Sequence, residues 1–374
     1  MTSSLDIELL PASELRAEHV ESWLRLQRAN PRLDSPFLRP EFTALVDEVR
    51  DDVEVAVLRE NATVRGFLAF HRGAGNVGQP VGEKLADLQA IVGGESWSLS
   101  AAELLEGLGL VAWHFDHLVH PQQPFAEHCQ YLDDAPYIDL AEGFAAYRES
   151  RLESGSSLWP QLRRKARKLE RERGPVRFEY HVESEELLET LLRWKSEQLR
   201  RQGLADVFRF DWARQLTRRL VRAQSIGFAG VLSALYVGEE PVAAHLGLRS
   251  GPVLASWVPA YSERYGRYSP GALLHLELAR EAAERGVRRI DLGRGENRLK
   301  TQLASGAVPL AVGSVDSRPL RRVLTLGWYR LRKLAHSTDG GRRALRSYRR
   351  LRNWKDGFDS EGGSSGDPRG SEGP

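Results

Sequence analysis

Hydrophobic and polar positions change period repeatedly along the chain, and the changes mark alternating strands and helices. Leu5–Leu10 reads as a short strand. Leu15, Val20, Trp23, Leu24 and Leu26 then recur near helical spacing, with Ser13 at the N-cap position. Pro31 and Pro36 interrupt the chain before a second helix around Pro40–Val49. Val53–Leu58 and Val64–Phe70 alternate across the turn-like Glu60-Asn61, which predicts a β-hairpin. Gly73 to Gly94 is glycine-rich and irregular. A helix at Ala101–Leu108, a strand at Val111–Val119 and a short strand at Tyr137–Leu140 follow.

The order returns after a basic helix at Leu158–Arg173. Val176–Val182 is strand-like, and Glu185–Arg201 and Trp212–Gln224 are helical by period and length. Phe228–Val237, Pro241–Arg249 and Val253–Pro259 are three strands, joined through Gly238-Glu239-Glu240 and Ser250-Gly251. Helix Pro270–Arg285 stops at Gly286, a residue suited to a left-handed C-terminal cap. Val287–Leu292 is a strand, Glu296–Leu303 a short helix and Val308–Val315 a last strand. The halves share the order of two helices, a hairpin and a helix–strand crossover, without obvious sequence identity. Duplication of one α/β unit accounts for that.

Composition adds boundaries. At 374 residues, 41% of them hydrophobic, the chain suits two domains, each able to bury a core. The expected divisions are 1–150, 151–317, a basic helical extension over 318–357 and a disordered tail over 358–374. No apolar run reaches the roughly 20 residues of a membrane span. The polar, acidic Met1–Leu10 does not read as a secretory signal. A single cysteine, Cys129, forms no internal disulfide, so a cytoplasmic location is expected. Residues 318–355 hold 13 Arg or Lys against one acid, Asp339, and leave the remainder acidic.

Two stretches and one histidine offer chemistry. Ser269-Pro270-Gly271-Ala272 opens the helix after Val253–Pro259. Its free amides and partial positive charge suit a phosphate, with Arg264 and Arg267 as charge partners. An ordinary capped helix has the same signature. Asp291-Leu292-Gly293-Arg294-Gly295-Glu296 follows Val287–Leu292 at the carboxyl end of a strand, where open α/β sheets place ligands. Lys300, one of only seven lysines, stands close behind it as a compact charge, or else as part of a solvated short helix. His245, among Ala243, Ala244 and Gly247, is a candidate general base or a satisfied core histidine. The remaining histidines form no zinc-like set, and no metal is expected. No nucleophilic serine elbow is present and Cys129 lacks an activating pattern, which favours direct transfer between two bound substrates.

These features resemble the GNAT acyltransferase superfamily. They look most like its BioF-like or CelD-like branch, linked to cellulose and exopolysaccharide biosynthesis. The resemblance is carried by Arg164–Arg173, Gly238 through His245, Tyr268-Ser269-Pro270-Gly271 and Asp291 through Glu296 with Lys300, and also by Ser35-Pro36-Phe37. It covers about residues 150–315 well and 5–140 loosely. It implies an α/β fold of two tandem GNAT-like mixed-sheet domains, with acetyl-CoA or another acyl-CoA as co-substrate. The donor would lie between diverging strands along Trp257 and Val258, its pyrophosphate on Ser269, Gly271 and Ala272 beside Arg264 and Arg267. His245, Glu296 and Lys300 would be catalytic, and Asp291 and Arg294 would hold the acceptor. One departure is clear: the usual Arg/Gln-x-x-Gly-x-Gly/Ala loop is one residue longer here before its glycine.

The expected acceptor is a sugar, lipid-linked glycan or other cell-envelope precursor. The longer loop leaves open a Fem-type transfer from aminoacyl-tRNA, held by the basic helix Leu158–Arg173 and the C-terminal basic helices. A third reading is a non-enzymatic accessory protein that docks on the anionic inner face of the membrane through 318–355. In that segment Leu324, Leu326, Trp328, Tyr329, Leu331 and Leu334 interleave with Arg330, Arg332 and Lys333, a pattern that equally suits an apolar face packed on the folded body.

Overall fold

A computed structural model describes residues 5–94, 99–295, 297–319 and 321. The expected basic extension (Arg318, Pro319 and Arg321 apart), the expected tail and Glu296 lie outside the described residues. The first half contains β1 (Leu5–Pro11), α1 (Ala17–Ala29), α2 (Pro40–Asp47), β2 (Val53–Glu60), β3 (Thr63–Gly73), β4 (Val77–Pro80), β5 (Val92–Gly93), α3 (Ala101–Gly107), β6 (Ala112–Val119), β7 (Cys129–Asp139) and α4 (Gly143–Glu153). Then come α5 (Leu158–Arg173), β8 (Val176–Glu179), α6 (Glu185–Gln202), α7 (Asp211–Arg222), β9 (Gln224–Ser225), β10 (Phe228–Val237), β11 (Glu240–Ser250), β12 (Val253–Tyr261), α8 (Pro270–Glu284), β13 (Arg289–Asp291), α9 (Arg298–Leu303) and β14 (Gly306–Asp316).

Most elements follow from local chemistry. Asn61 and Ala62 both adopt positive φ between β2 and β3, as a tight right-twisting hairpin requires. Helix α6 starts at Ser184, whose Oγ accepts from the Leu187 amide, and stops at left-handed Gly203. Helix α1 departs from expectation: a 3-10 turn occupies Ala12–Glu14 and the cap is Arg16, with the His19 ring accepting from its amide at 3.3 Å. The glycine-rich stretch was expected to be irregular but carries β4. Strand β7 is much longer than its apolar tip Tyr137–Leu140 suggested. Helix α4 went unanticipated because its apolar stripe, Phe144 and Tyr147, is short.

One mixed sheet runs through both halves in the order β1-β2-β3-β4-β6-β14-β7-β13-β12-β11-β10-β8. Its centre is an exchange of strands. β14, from the end of the second half, lies between β6 and β7 of the first, while β7 pairs with β13 of the second. Each half therefore finishes its sheet with the other's last strand, and the boundary near residue 150 divides the sequence but not the sheet.

Two large cores follow from this layout. On one face α1, α2, α6 and α7 pack into a continuous core from Trp23, Phe37 and Phe42 to Leu191, Leu216 and Trp257. On the other, α4, α5 and α8 cover the second half through Tyr147, Leu162, Leu169, Leu274 and Leu278. Burial of fully apolar side chains at about 25 cal/mol per Å² makes the shared first core the main force joining the halves.

Candidate functional site

Strands β12 and β13 run parallel for only three residues, Val253, Leu254 and Ala255 facing Arg289, Ile290 and Asp291. Beyond them β12 continues to Tyr261, while the other chain turns off at Gly293 (φ +73°). A bulge at Trp257 sharpens the divergence: Leu246 faces Val258 but Gly247 faces Ser256. A bulge adds twist and leaves ladder groups unpaired. The result is a wedge at the carboxyl ends of two parallel strands, where α/β sheets leave room for ligands.

Helix α8 opens beside the wedge. Ser269 is left-handed (φ 56°, ψ 53°) and its hydroxyl does not cap the helix; it accepts a hydrogen bond from Lys165 Nζ at 2.6 Å. The Ala272 and Leu273 amides return to the Ser269 carbonyl, and Pro270 has no N–H. Gly271 keeps the mouth open, since a Cβ there would meet the Tyr261 ring at 3.3 Å. A lysine, a serine hydroxyl and the positive end of a 15-residue helix thus meet at one point, a setting for an anion.

On the opposite face of the wedge the halves contribute charges together. Gln89 fastens the loop after Leu85 to β6, accepting from the Asp116 and His117 amides at 3.0 and 3.1 Å and donating to Asp116 Oδ1 at 2.9 Å. This holds Asp87 over Gly293, where a Cβ would come within 3.1 Å of Asp87 Oδ2 and 3.7 Å of Lys300 Nζ. The same loop accepts the indole N–H of Trp257 at the Leu85 carbonyl, 2.8 Å away. Lys195, from α6, reaches the Pro259 carbonyl of β12 at 3.4 Å.

Burial pushes the Asp87 carboxyl up, against the pull of His117, Lys300 and Lys195. Burial also lowers Lys195 to about 8, with the Lys300 charge adding to it and Asp87 opposing. Lys300 is lowered by burial as well. Asp116 behaves in the other sense: burial would raise it, but the hydrogen bond and charge of His117, with Arg294 and Gln89, hold it well below the usual carboxylate range. A perturbed acid and a perturbed amine facing one cleft are what proton-transfer chemistry requires.

The structure sorts the sequence candidates. Trp257 and Val258 line the wedge, and Ser269, Gly271 and Ala272 form the helix mouth. Arg264 and Arg267 are engaged elsewhere, with Glu240 at 3.1 Å and Glu172 at 2.9 Å, and Lys165 stands at the mouth in their place. His245 is 0% exposed on the α8 side and neither ring nitrogen has a partner. Burial, with the nearby His275, holds its pKa far below the usual histidine range. It belongs to the core and has no access to the cleft. Lys300 reaches the cleft but spends two donors on the Gly293 and Arg294 carbonyls, at 2.9 and 3.0 Å. Arg294 ties the halves through the Asp116 carbonyl at 2.6 Å, and Asp291 pairs with Arg289 at 2.8 Å. Glu296 lies outside the described residues.

Sequence reasoning missed Asp87, Lys165, Lys195 and His275. Lysine scarcity was the available signal: of the seven lysines, Lys195 and Lys300 stand around Asp87 and Lys165 stands at the helix mouth. His275 interrupts the apolar run Leu273-Leu274-Leu276, accepts or donates at Ser256 Oγ (3.1 Å) and lies 2.7 Å from the Gly271 carbonyl. Among the described residues no group of three or more His, Cys, Asp or Glu is arranged to hold a metal ion, and no helix is long and apolar enough to cross a membrane.

A sequence profile for the acetyltransferase (GNAT) domain matches residues 157–301, the segment that contains the wedge, the helix mouth and Lys195. No curated protein matches the chain in sequence. Among solved structures, FemX is similar at 11% identity over 85% of this chain and 100% of its own, with a TM-score of 0.55. L-PGS from Bacillus licheniformis is similar at 13% identity over 83% and 96%, with a TM-score of 0.50. A conserved protein of unknown function from Bacteroides thetaiotaomicron gives 10% identity over 81% and 97%, also at 0.50. Such distant likeness speaks for the fold alone, and it extends across both halves. Residues 157–301 are thus a GNAT acetyltransferase domain within a tandem GNAT-like fold, and the two together support an acyltransferase.

Proposed function

We propose that the protein transfers an acyl group from acyl-CoA to an amine or hydroxyl acceptor held between its halves. The acceptor belongs to the sugar or lipid-linked precursors of the cell envelope. The observation that carries the donor reading is the open wedge beside an uncapped helix mouth armed with Lys165. Pantetheine would enter along Trp257 and Val258, and the pyrophosphate would rest on the Gly271 amide and the Lys165 ammonium.

Asp87 takes the acceptor's proton as the nucleophile attacks the thioester carbonyl carbon. The carbon–sulfur bond breaks, and Lys195 returns a proton to the leaving thiolate. Its pKa of about 8 lies near the roughly 8.5 of an ordinary thiol. Asp87 and Lys195 then exchange a proton through solvent in the cleft, which restores both. Calorimetric titration with acetyl-CoA, followed by thiol release across amino-sugar and lipid-linked acceptors, tests the reading. Saturable binding and acceptor-dependent thiol release are expected. No binding by any acyl-CoA contradicts it, and salt-sensitive binding of aminoacyl-tRNA in its place would move the donor to the Fem-type alternative.

A further inference from the structure

Helices α4, α5 and α8 enclose an open groove of about 860 Å³ on the outer face of the second half. Each presents one stripe to it: Phe144, Arg148 and Leu152 at intervals of four on α4, Trp159 through Arg167 on α5, and Leu273, Leu276, Glu277 and Arg280 on α8. The floor is apolar and aromatic. Phe144 meets Trp159 edge-on at 5.6 Å, and Leu152 is 44% exposed at the open end.

The rim is cationic. Glu277 and Arg280 neutralise each other at 3.0 Å. Arg148, Arg163 and Arg167 are exposed, and none is paired with a carboxylate among the described residues. An apolar trough bordered by unpaired guanidinium groups complements an amphiphile whose chain is greasy and whose head is anionic. Its volume lies in the range of small-molecule sites, roughly 300–1,000 Å³.

We propose that this groove seats an anionic phospholipid at a membrane surface, with acyl carbons against Phe144, Leu152, Trp159 and Leu276 and the phosphate on Arg148, Arg163 and Arg167. The groove lies on the outer side of α8, away from the charged cleft, so this inference stands or falls separately from the acyl-CoA reading.

The test uses the full chain and vesicles of phosphatidylcholine with or without phosphatidylglycerol. Wild type is expected to sediment with the anionic vesicles. The variant Arg148→Gln/Arg163→Gln/Arg167→Gln is expected to lose partitioning on the order of 100-fold, about fivefold per basic residue. Because the basic segment 318–355 also attracts anionic surfaces, a second readout is local. In a Cys129→Ser chain, an environment-sensitive fluorophore on Leu152→Cys is expected to shift to the blue on anionic vesicles, while one on Arg65→Cys stays unchanged. The proposal is overturned if the triple variant sediments like wild type, if the Leu152 probe does not shift, or if inorganic phosphate alone displaces the vesicles from it.

Discussion

The two halves carry the same wedge and the same following helix, and they fill them differently. In the first half β4 and β6 run parallel for two residues, Val77 with Ala112 and Gly78 with Trp113. That wedge is packed: a Cβ on Gly78 would strike the Leu110 and Trp113 side chains at 2.6 Å. The free edge of β6 is taken by Gln89, bridged to Leu118. Helix α3 is sealed by a capping box, in which Ser100 and Glu103 satisfy each other's amides. In the second half the corresponding serine gives no cap, and the wedge is bordered by Asp87, Lys195 and Lys300. The comparison teaches how a duplicated unit divides labour. The loop that closes the first wedge is the one that delivers Asp87 to the second.

The largest effect should come from the residue that links the wedges. Asp87→Asn is expected to lower kcat by about 10²–10⁴-fold, the usual range for a general base, with folding preserved. Its carboxyl is raised in the folded state, so ionising it costs stability once pH exceeds the folded pKa, and the amide removes that cost. A Tm at pH 8 equal to or above wild type, together with lost turnover, separates chemistry from folding.

Next comes the mouth of α8. Gly271→Val is expected to raise the KM for acetyl-CoA at least about tenfold by covering the amide, whereas Lys165→Ala should cost roughly three- to tenfold, one charge-assisted contact. Comparable substitutions at α3 should leave KM unchanged.

The pH–rate profile of the wild type is expected to fall as pH rises through about 8, and Lys195→Met to remove that alkaline limb. The sign for stability is opposite to that of a paired lysine. Its folded pKa lies below the unfolded 10.5, so the folded protein binds fewer protons between those values and gains stability as pH rises from about 8. At pH 7 the methionine variant is expected to be more stable, by on the order of 1 kcal/mol, in denaturant unfolding. The smallest functional effect belongs to His245→Leu. Removing two unpartnered buried ring nitrogens should stabilise by about 1 kcal/mol while kcat stays near wild type; a large loss of kcat would return His245 to the mechanism.

Much of this architecture was legible in the sequence. Phe228–Val237 and Leu158–Arg173 fall where periodicity puts them, and α8 starts at Pro270 as Ser269-Pro270-Gly271 predicts. The exchange of β7 and β14 was not legible, because alternation fixes a strand's faces and says nothing about its neighbours. Residues of the cleft were hidden for a related reason. Asp87 sits in a glycine-rich loop with no period, and Lys195 lies within an amphipathic helix where one more charge reads as solvated surface. Arg264 and Arg267 were near the mouth in sequence, but Glu240 and Glu172 come from other elements and draw both away.

The stoichiometry of acetyl-CoA binding tests the asymmetry most directly. Titration of the full chain is expected to give one site per polypeptide, weakened at least about tenfold in Gly271→Val and unchanged when Ser100→Ala opens the cap of α3. Two sites per chain, or one site whose affinity Gly271→Val leaves unchanged, would contradict the account.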